Sequence, residues 1–482
     1  MKRAGLKTWH IRWSRALRWV ALVASIYLSL TSYAGDFQAA AAPRLYVPPI
    51  PQDLESVDLY LLTAGVGDEI ANRFGHTGIR ILDRHAGSDV VFNWGKFHFD
   101  DPSFAWKFFR GSLVYSMGVR TFQNDINVYQ ESGRRLVMDK LNLTPSQKRQ
   151  LIEKIRWNAL PENREFAYQY WYKNCATIPR DYLNEVLDGQ IIARFAARPA
   201  GRVFRDYVRR NLAYVPFIVP LLDTLMNGNI DHGISLWEDM FLPSRLREVL
   251  LEMPAVDDQG HLKEGERLLV EERILVDKEE PFASSLPDYE LLAFPAWLSL
   301  LIFGGFMAAR GLGFFAPTTV QRDLRKTLAL RSLGCGTTYW GMLSGVVGTT
   351  LALNWAFSGH PDGWANVNLL FIWPTDLCLI PLGWKLMISG SPVKDRWPWP
   401  GTGKVYAILK SLGVLVLVVG SMSHMIHQDV SRVVLAFGLP ALGLLWANGL
   451  WGLTTKTVAH NRHGAEQLAG QSMVRTPKAG KS

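Results

Sequence analysis

The chain has 482 residues, room for about three average domains, with 48 % hydrophobic residues and a formal net charge of +9. The charge is uneven: residues 1–35 hold six Lys/Arg and no acid, residues 291–482 hold 16 basic and 6 acidic residues, and the stretch between is net acidic. Basic charge therefore flanks long apolar runs, which disfavours a nucleic-acid partner, and three distant cysteines (Cys175, Cys335, Cys378) exclude a disulfide framework or a Cys-rich zinc site.

Residues 1–35 read as an export signal, with positive charges ahead of the apolar run WVALVASIYLSLTSYA at 19–34. The run is either cleaved, at small residues near 32–34 or 39–42, or kept as an anchor, and these stay open. No cysteine follows it, so the protein is not itself expected to be a lipoprotein. Residues 36–56 form a Pro-rich linker. The exported domain is expected over 57–245. VDLYLLTAG is strand-like, and RFGHTGIRIL and DVVFNWGKF read as a hairpin around the turn RHAGS. Residues 144–159 read as a helix with Thr144 as N-cap, Gln147 three positions later, and Leu151, Ile152 and Ile155 on one face. Tyr168–Asp188 passes from an aromatic stretch into a helix that Gly189 ends. Strands, a helix, then a Cys at a helix start make the domain α+β rather than doubly wound. Residues 246–289 are left as a connector.

Five apolar runs follow, near 290–309, 337–358, 366–388, 405–423 and 432–454, each close to the ~20 residues that cross a bilayer. The segments at 310–336, 389–404 and 456–482 are basic, whereas GHPDGWA and SHMIHQD carry no Lys or Arg. By the positive-inside pattern this predicts a five-span membrane domain over 290–455, cytoplasmic basic segments including the tail at 456–482, and residues 36–289 outside.

Cys175 is the only cysteine on the exported side, at or just before a helix N-terminus, where orphan N–H groups and the helix dipole stabilise a thiolate. A buried structural thiol is the bland alternative. His76, bracketed by Gly75 and Gly78 at a strand start, is placed to act as base toward a thiol. Asn93 lies across the hairpin, in a register that would let it orient the imidazole as a third member. His85 belongs to the turn, and His98 and His232 have no recognisable setting. In the apolar runs, Asp376 stands out because an ionisable group inside a span is functional by default. His360, Asn366 and Asn368 fall near the outer face, either meeting head groups or capping an interfacial loop. Cys335 and Cys378 read as packing residues.

These residues carry a resemblance. RFGHTGIRI, VVFNWGKF, DKLNLTPSQ, YQYWYKNCATIPRDYL and LWEDMFLPSRL resemble the exported domain of the Lnb-type bacterial lipoprotein N-acyltransferases, and GHPDGWANVNLLFIWP resembles that family's membrane part. The order of His first and Cys later is also that of permuted papain-fold enzymes of the NlpC and lecithin:retinol acyltransferase kind. The resemblance implies a papain-like α+β domain followed by an all-α membrane domain, with Cys175 as nucleophile, His76 as base, and Arg180 and Asp181 as a structural ion pair. Ile178-Pro179 departs from the pattern. Proline suits only a helix's first turn, so the helix should begin near Thr177 and leave Cys175 just outside it.

The implied chemistry is acyl transfer through a Cys thioester, in the outer leaflet of the bacterial inner membrane. The donor is a membrane phospholipid and the acceptor the α-amino group of a diacylglyceryl-cysteine lipoprotein. Neither metal nor cofactor is called for. A peptidoglycan-directed Cys amidase or peptidase would share the dyad but has no need of five spans. A non-catalytic lipid-binding membrane protein is the third reading.

Overall fold

The computed structural model describes residues 46–96, 104–213, 218–278, 305, 319–390 and 402–447. The export signal, the linker up to residue 45, His98, the apolar run at 290–309 apart from residue 305, and the tail at 456–482 lie outside the described residues.

The run VDLYLLTA forms β1 (Val57–Ala64), buried along its whole length. Its side chains alternate between two apolar layers: Leu59 and Leu61 enter the main core, Tyr60 and Leu62 a second cluster on the opposite face. β2 (His76–Asp83) and β3 (Ser88–Lys96) pair as the expected hairpin, with His85 exposed in its turn. Then come α1 (Phe104–Phe109), β4 (Val114–Thr121), α2 (Phe122–Glu131) and β5 (Leu136–Leu141). In α3 (Pro145–Ala159) the Thr144 side chain accepts from the Gln147 amide while Gln147 reaches back to the Thr144 amide, a closed capping box. The chain continues through β6 (Glu165–Ala167), α4 (Thr177–Val186), α5 (Gln190–Phe195), α6 (Phe204–Asn211), α7 (Ile218–Leu225) and α8 (Pro243–Leu251).

β7 (Pro254–Val256) and β8 (Leu262–Arg267) make a small ribbon, and β9 (Leu269–Val276) joins the main sheet. That sheet has seven strands in the order β6-β4-β3-β2-β1-β5-β9, with antiparallel neighbours throughout. Helices α3, α4 and α8 cover one face, and α2 covers the other. The domain is mixed α and β, as expected. The boundary at 245/246 is corrected: it cuts α8, and β9 within the supposed connector pairs with β5. The signal was hidden because β9 is an edge strand. Its residues Glu271, Glu272 and Arg273 are exposed, so LVEERILV lacks the apolar pattern of an inner strand.

The C-terminal region is helical. α9 (Thr319–Phe357) is 39 residues long, running through much of the expected basic loop at 310–336 as well as the second apolar run. The third run is not one helix. After a 3₁₀ turn at Pro361–Gly363 in the preceding segment, it breaks into 3₁₀ turns at Val367–Leu370 and Pro374–Cys378 before α10 (Leu379–Ser389), with a bend of 53° between Pro361–Leu370 and Pro374–Ser389. Proline and backbone-capturing asparagines explain the break. Close approach of α9 to this segment needs glycine: a Cβ on Gly345 would come within 2.6 Å of the Leu377 nitrogen. α11 (Thr402–Met422) contains the one described helix, Val405–Met422, long and apolar enough to cross a membrane, and the bent pair would make a second. The fifth run gives α12 (Ser431–Val433), a π-turn at Val434–Gly438 and α13 (Leu439–Ala447).

Asp376 is fully buried at the break, and its partners are all at hand. It accepts from Ser344 Oγ at 2.5 Å, from the Tyr406 hydroxyl, and from Lys410 Nζ at 2.5 Å to both oxygens. Lys410, the one charge inside the apolar run 405–423, is the natural complement of Asp376.

Two asparagines tie the halves together. Asn366 and Asn368 donate to the Thr224 carbonyl at the end of α7, at 3.0 and 2.9 Å, and both are buried. Both are turned into the protein, and Asn366 also caps the turn by accepting from the Asn368 amide. Asn227 answers by donating to the Pro361 and Trp364 carbonyls, and Arg209 pairs with Asp429 at 2.8 Å.

Candidate active site

Cys175 sits in the turn before α4, whose first residue is Thr177, as the proline at 179 requires. Asn174 locks that turn. Its Oδ1 accepts from the Ala176 and Thr177 amides at 2.8 and 3.0 Å, and its Nδ2 donates to the Tyr170 and Phe241 carbonyls. Thr177 Oγ1 accepts from the Asn174 amide at 2.7 Å. Asn174 went unremarked as a positioning residue in the sequence, although Asn ahead of a helix is a capping signal.

His76 opens β2, the middle strand of the sheet, and the next residue, Thr77, donates its amide to the Cys175 sulfur. The strand thus places His76 one residue from the amide directed at the thiol. Burial pushes the thiol up to about 11, against the pull of the Thr77 amide, its own amide and the positive charge of Arg134. Burial is the dominant influence on the thiol, and the helix begins at Thr177 as its proline requires, leaving Cys175 just outside the terminus. Burial also lowers the His76 pKa to about 4, helped by Arg134 and opposed by the bond to Asn93. Near neutral pH the pair rests as thiol and neutral imidazole.

Asn93 pairs across the hairpin with Gly78, which puts it diagonal to His76 on the same face. His76 Nε2 and Asn93 Oδ1 are 3.0 Å apart, while Asn93 Nδ2 donates to Asp125 Oδ1 at 3.0 Å. Because the Asn93 nitrogen is committed to a carboxylate, its oxygen faces the ring. Nε2 then carries the ring proton and Nδ1 is left as the basic nitrogen. The close fit depends on Gly78, where a Cβ would meet Asn93 Oδ1 at 2.8 Å.

An aromatic ladder leads away from the thiol. Tyr115 stacks on Tyr168 with centroids 4.2 Å apart, and Tyr170 meets Tyr168 edge-on at 5.5 Å. The ring of His360 then lies 5.9 Å from Tyr170, and Trp171 Nε1 donates to Asp362 at 2.8 Å. The stretch preceding the thiol is thereby joined to the loop between α9 and the broken segment.

The other candidates fall outside this cluster. Arg180 bonds Asp181 at 2.9 Å and the Trp237 carbonyl at 2.9 Å, and it stacks on the Trp237 ring, a structural arrangement. His232 bonds the Asn229 carbonyl at 2.6 Å. Cys335 and Cys378 are exposed on the helical region rather than packed inside it. Among the described residues no group of three or more His, Cys, Asp or Glu is placed to hold a metal ion.

Comparison with known proteins gives one match, to the family described as the Lnb N-terminal periplasmic domain, over residues 52–208. No curated protein and no solved structure matches the chain. The matched segment contains β1 to β6, α4 and all three of Cys175, His76 and Asn93. Over residues 52–208, about a third of its length, the chain is thus similar to the Lnb N-terminal periplasmic domain family.

Proposed function

We propose that the protein is a phospholipid-dependent lipoprotein N-acyltransferase with Cys175 as nucleophile, His76 as general base and acid, and Asn93 as the group that orients the ring. The observation that carries this reading is the start of one strand, where His76 is bonded to Asn93 and the next residue, Thr77, directs its amide at the Cys175 sulfur. The domain is read as a papain-like exported unit, and the helical region as multi-pass.

In the first half-reaction Sγ attacks an ester carbonyl of a glycerophospholipid while His76 Nδ1 takes the thiol proton. A C–S bond forms, and the carbonyl oxygen carries the developing negative charge. The amides of Thr77 and Cys175, already directed at the sulfur, supply donors beside that oxygen. Collapse breaks the acyl C–O bond, and the imidazolium returns the proton to the departing lysophospholipid. In the second half-reaction the lipoprotein's free amine attacks the thioester. A C–N bond forms, the C–S bond breaks, His76 removes the amine proton, and the thiol is regenerated. The net change is phospholipid plus amine to lysophospholipid plus amide.

A thiol with a raised pKa suits this cycle. The pair is neutral at rest, so no charge has to be held in the buried site before substrate arrives. Burial also keeps water from the thioester, which favours amine over hydrolysis. The ladder through Tyr168 and Tyr170 to His360 joins the site to the apolar helices, a link that an enzyme acting on soluble peptidoglycan strands does not require. Mass spectrometry of the lipid chains on a reporter lipoprotein tests the reading. Cells with the protein should carry a third, amide-linked chain, and cells lacking it should carry two. Unchanged chains in its absence would sink the assignment.

A further inference from the structure

Resting on the dyad reading above, we infer that Asp125 is a positioning residue of the site: from beneath Asn93 it dictates which way the carboxamide points and hence which nitrogen of His76 is basic. Asp125 lies in the first turn of α2, on the sheet face opposite α4, and it is 1 % exposed. Its Oδ1 accepts from Asn93 Nδ2 at 3.0 Å and from Arg120 Nη1 at 3.2 Å. Its Oδ2 is buried with no hydrogen-bond partner among the described residues.

A carboxylate buried with half its acceptor capacity unfilled is costly, and the Arg120 contact is a poor return for it. Arg120 is 47 % exposed and makes one contact to this carboxylate, so solvent screens the attraction. What Asp125 supplies is direction. The oxygen and nitrogen of a carboxamide are nearly isosteric, so Asn93 alone could face His76 with either. With Nδ2 toward the ring, Nε2 would have to accept, the ring proton would move to Nδ1, and the base would be lost. An ionised carboxylate only accepts, so it holds Nδ2, turns Oδ1 toward the ring and places the proton on Nε2. The carboxamide oxygen occupies space that only a glycine at 78 leaves open, since a Cβ there would press on it at 2.8 Å. The relay runs Asp125, Asn93, His76, and only the last handles the reacting proton.

The experiment uses the full chain reconstituted in phosphatidylethanolamine/phosphatidylglycerol vesicles, with a diacylglyceryl-cysteinyl peptide as acceptor. Asp125→Asn keeps the shape but can donate or accept, so both carboxamide orientations become available. Expected is a kcat lower by about 10²-fold, with KM for the peptide near the wild-type value. The same substitution should cost nothing further in a His76→Ala background, because its effect passes through the imidazole. A structural role would lower activity in both backgrounds. Wild-type kcat in Asp125→Asn, or an equal additional loss on top of His76→Ala, would overturn the inference. Asp125→Ser, which can also donate or accept, carries the same expectations and replaces Asp125→Asn if that variant does not accumulate. Full activity in Cys175→Ala would instead remove the dyad itself, so the two failures are distinguishable.

Discussion

Two buried polar clusters in this molecule are built on opposite terms. At Asp376 every partner is in place: Ser344, Tyr406 and Lys410 converge on one carboxylate, and the cluster locks the broken segment against α9 and α11. At Cys175 and His76 burial disfavours both charged forms, and the site rests neutral. A completed ion pair holds helices together because separating it would strand a charge in an apolar interior. In the proposed cycle a neutral thiol and imidazole, with amides aimed at the sulfur, gain their charges only when a carbonyl arrives. The clusters thus divide between architecture and chemistry, and that division can be broken experimentally.

The largest effect belongs to the nucleophile. Cys175→Ala and Cys175→Ser should abolish acyl transfer while the protein still inserts in the membrane, as read by transfer assay and membrane fractionation. Full activity in either would remove the assignment. Next is His76→Ala, with an expected loss of about 10²–10⁴-fold. Its residual activity should climb with pH toward about 11, as hydroxide ionises the thiol that the imidazole no longer serves. In wild type the acid limb of kcat/KM should lie near 4, since the depressed imidazole stays neutral above that value and is lost as base below it. A limb at the ordinary 6.5 would mean that His76 is far better solvated than the structure shows.

Gly78→Ala sharpens the comparison without touching a reacting group. The new methyl would displace the Asn93 oxygen, so transfer should fall about 10- to 100-fold with the melting temperature little changed. The smallest effect on chemistry should come from the other cluster. Lys410→Met should cost about 3–5 kcal/mol of stability by stranding Asp376, with the catalytic rate per folded molecule near wild type. Adding Asp376→Asn should restore much of the lost stability, measured by thermal melting in detergent. A stable Lys410→Met protein without activity would reverse the roles given to the two clusters.

Local rules made much of the fold legible. The Thr144–Gln147 capping box, the hairpin around RHAGS and the strand at Val57 all stand where the residues place them. Ile178-Pro179 correctly set the start of α4 at Thr177. What stayed hidden depends on tertiary contact. β9 carries its charges on an exposed edge, so nothing in LVEERILV marks it as part of the main sheet. Asn366 and Asn368 looked like interfacial residues because their partner, the Thr224 carbonyl, lies more than a hundred residues away. The His76–Asn93 contact was legible from hairpin register, and Cys175 drew attention by its isolation on one side of the chain. The state of the thiol was not. Residue type and a nearby helix argue for a thiolate, whereas the pKa follows burial, which only the packed structure reveals. Asp125 was invisible for the same reason, since it reaches Asn93 from a different helix.

The central claim is that Cys175 carries the acyl chain between donor and acceptor. The most direct measurement is intact-protein and peptide mass spectrometry of the full chain after incubation with phospholipid vesicles and no amine acceptor. The account expects one fatty acyl chain on the peptide containing Cys175, released by hydroxylamine, absent from Cys175→Ala and accumulating much more slowly in His76→Ala. An unmodified Cys175 in protein that goes on to acylate added lipoprotein peptide would contradict it.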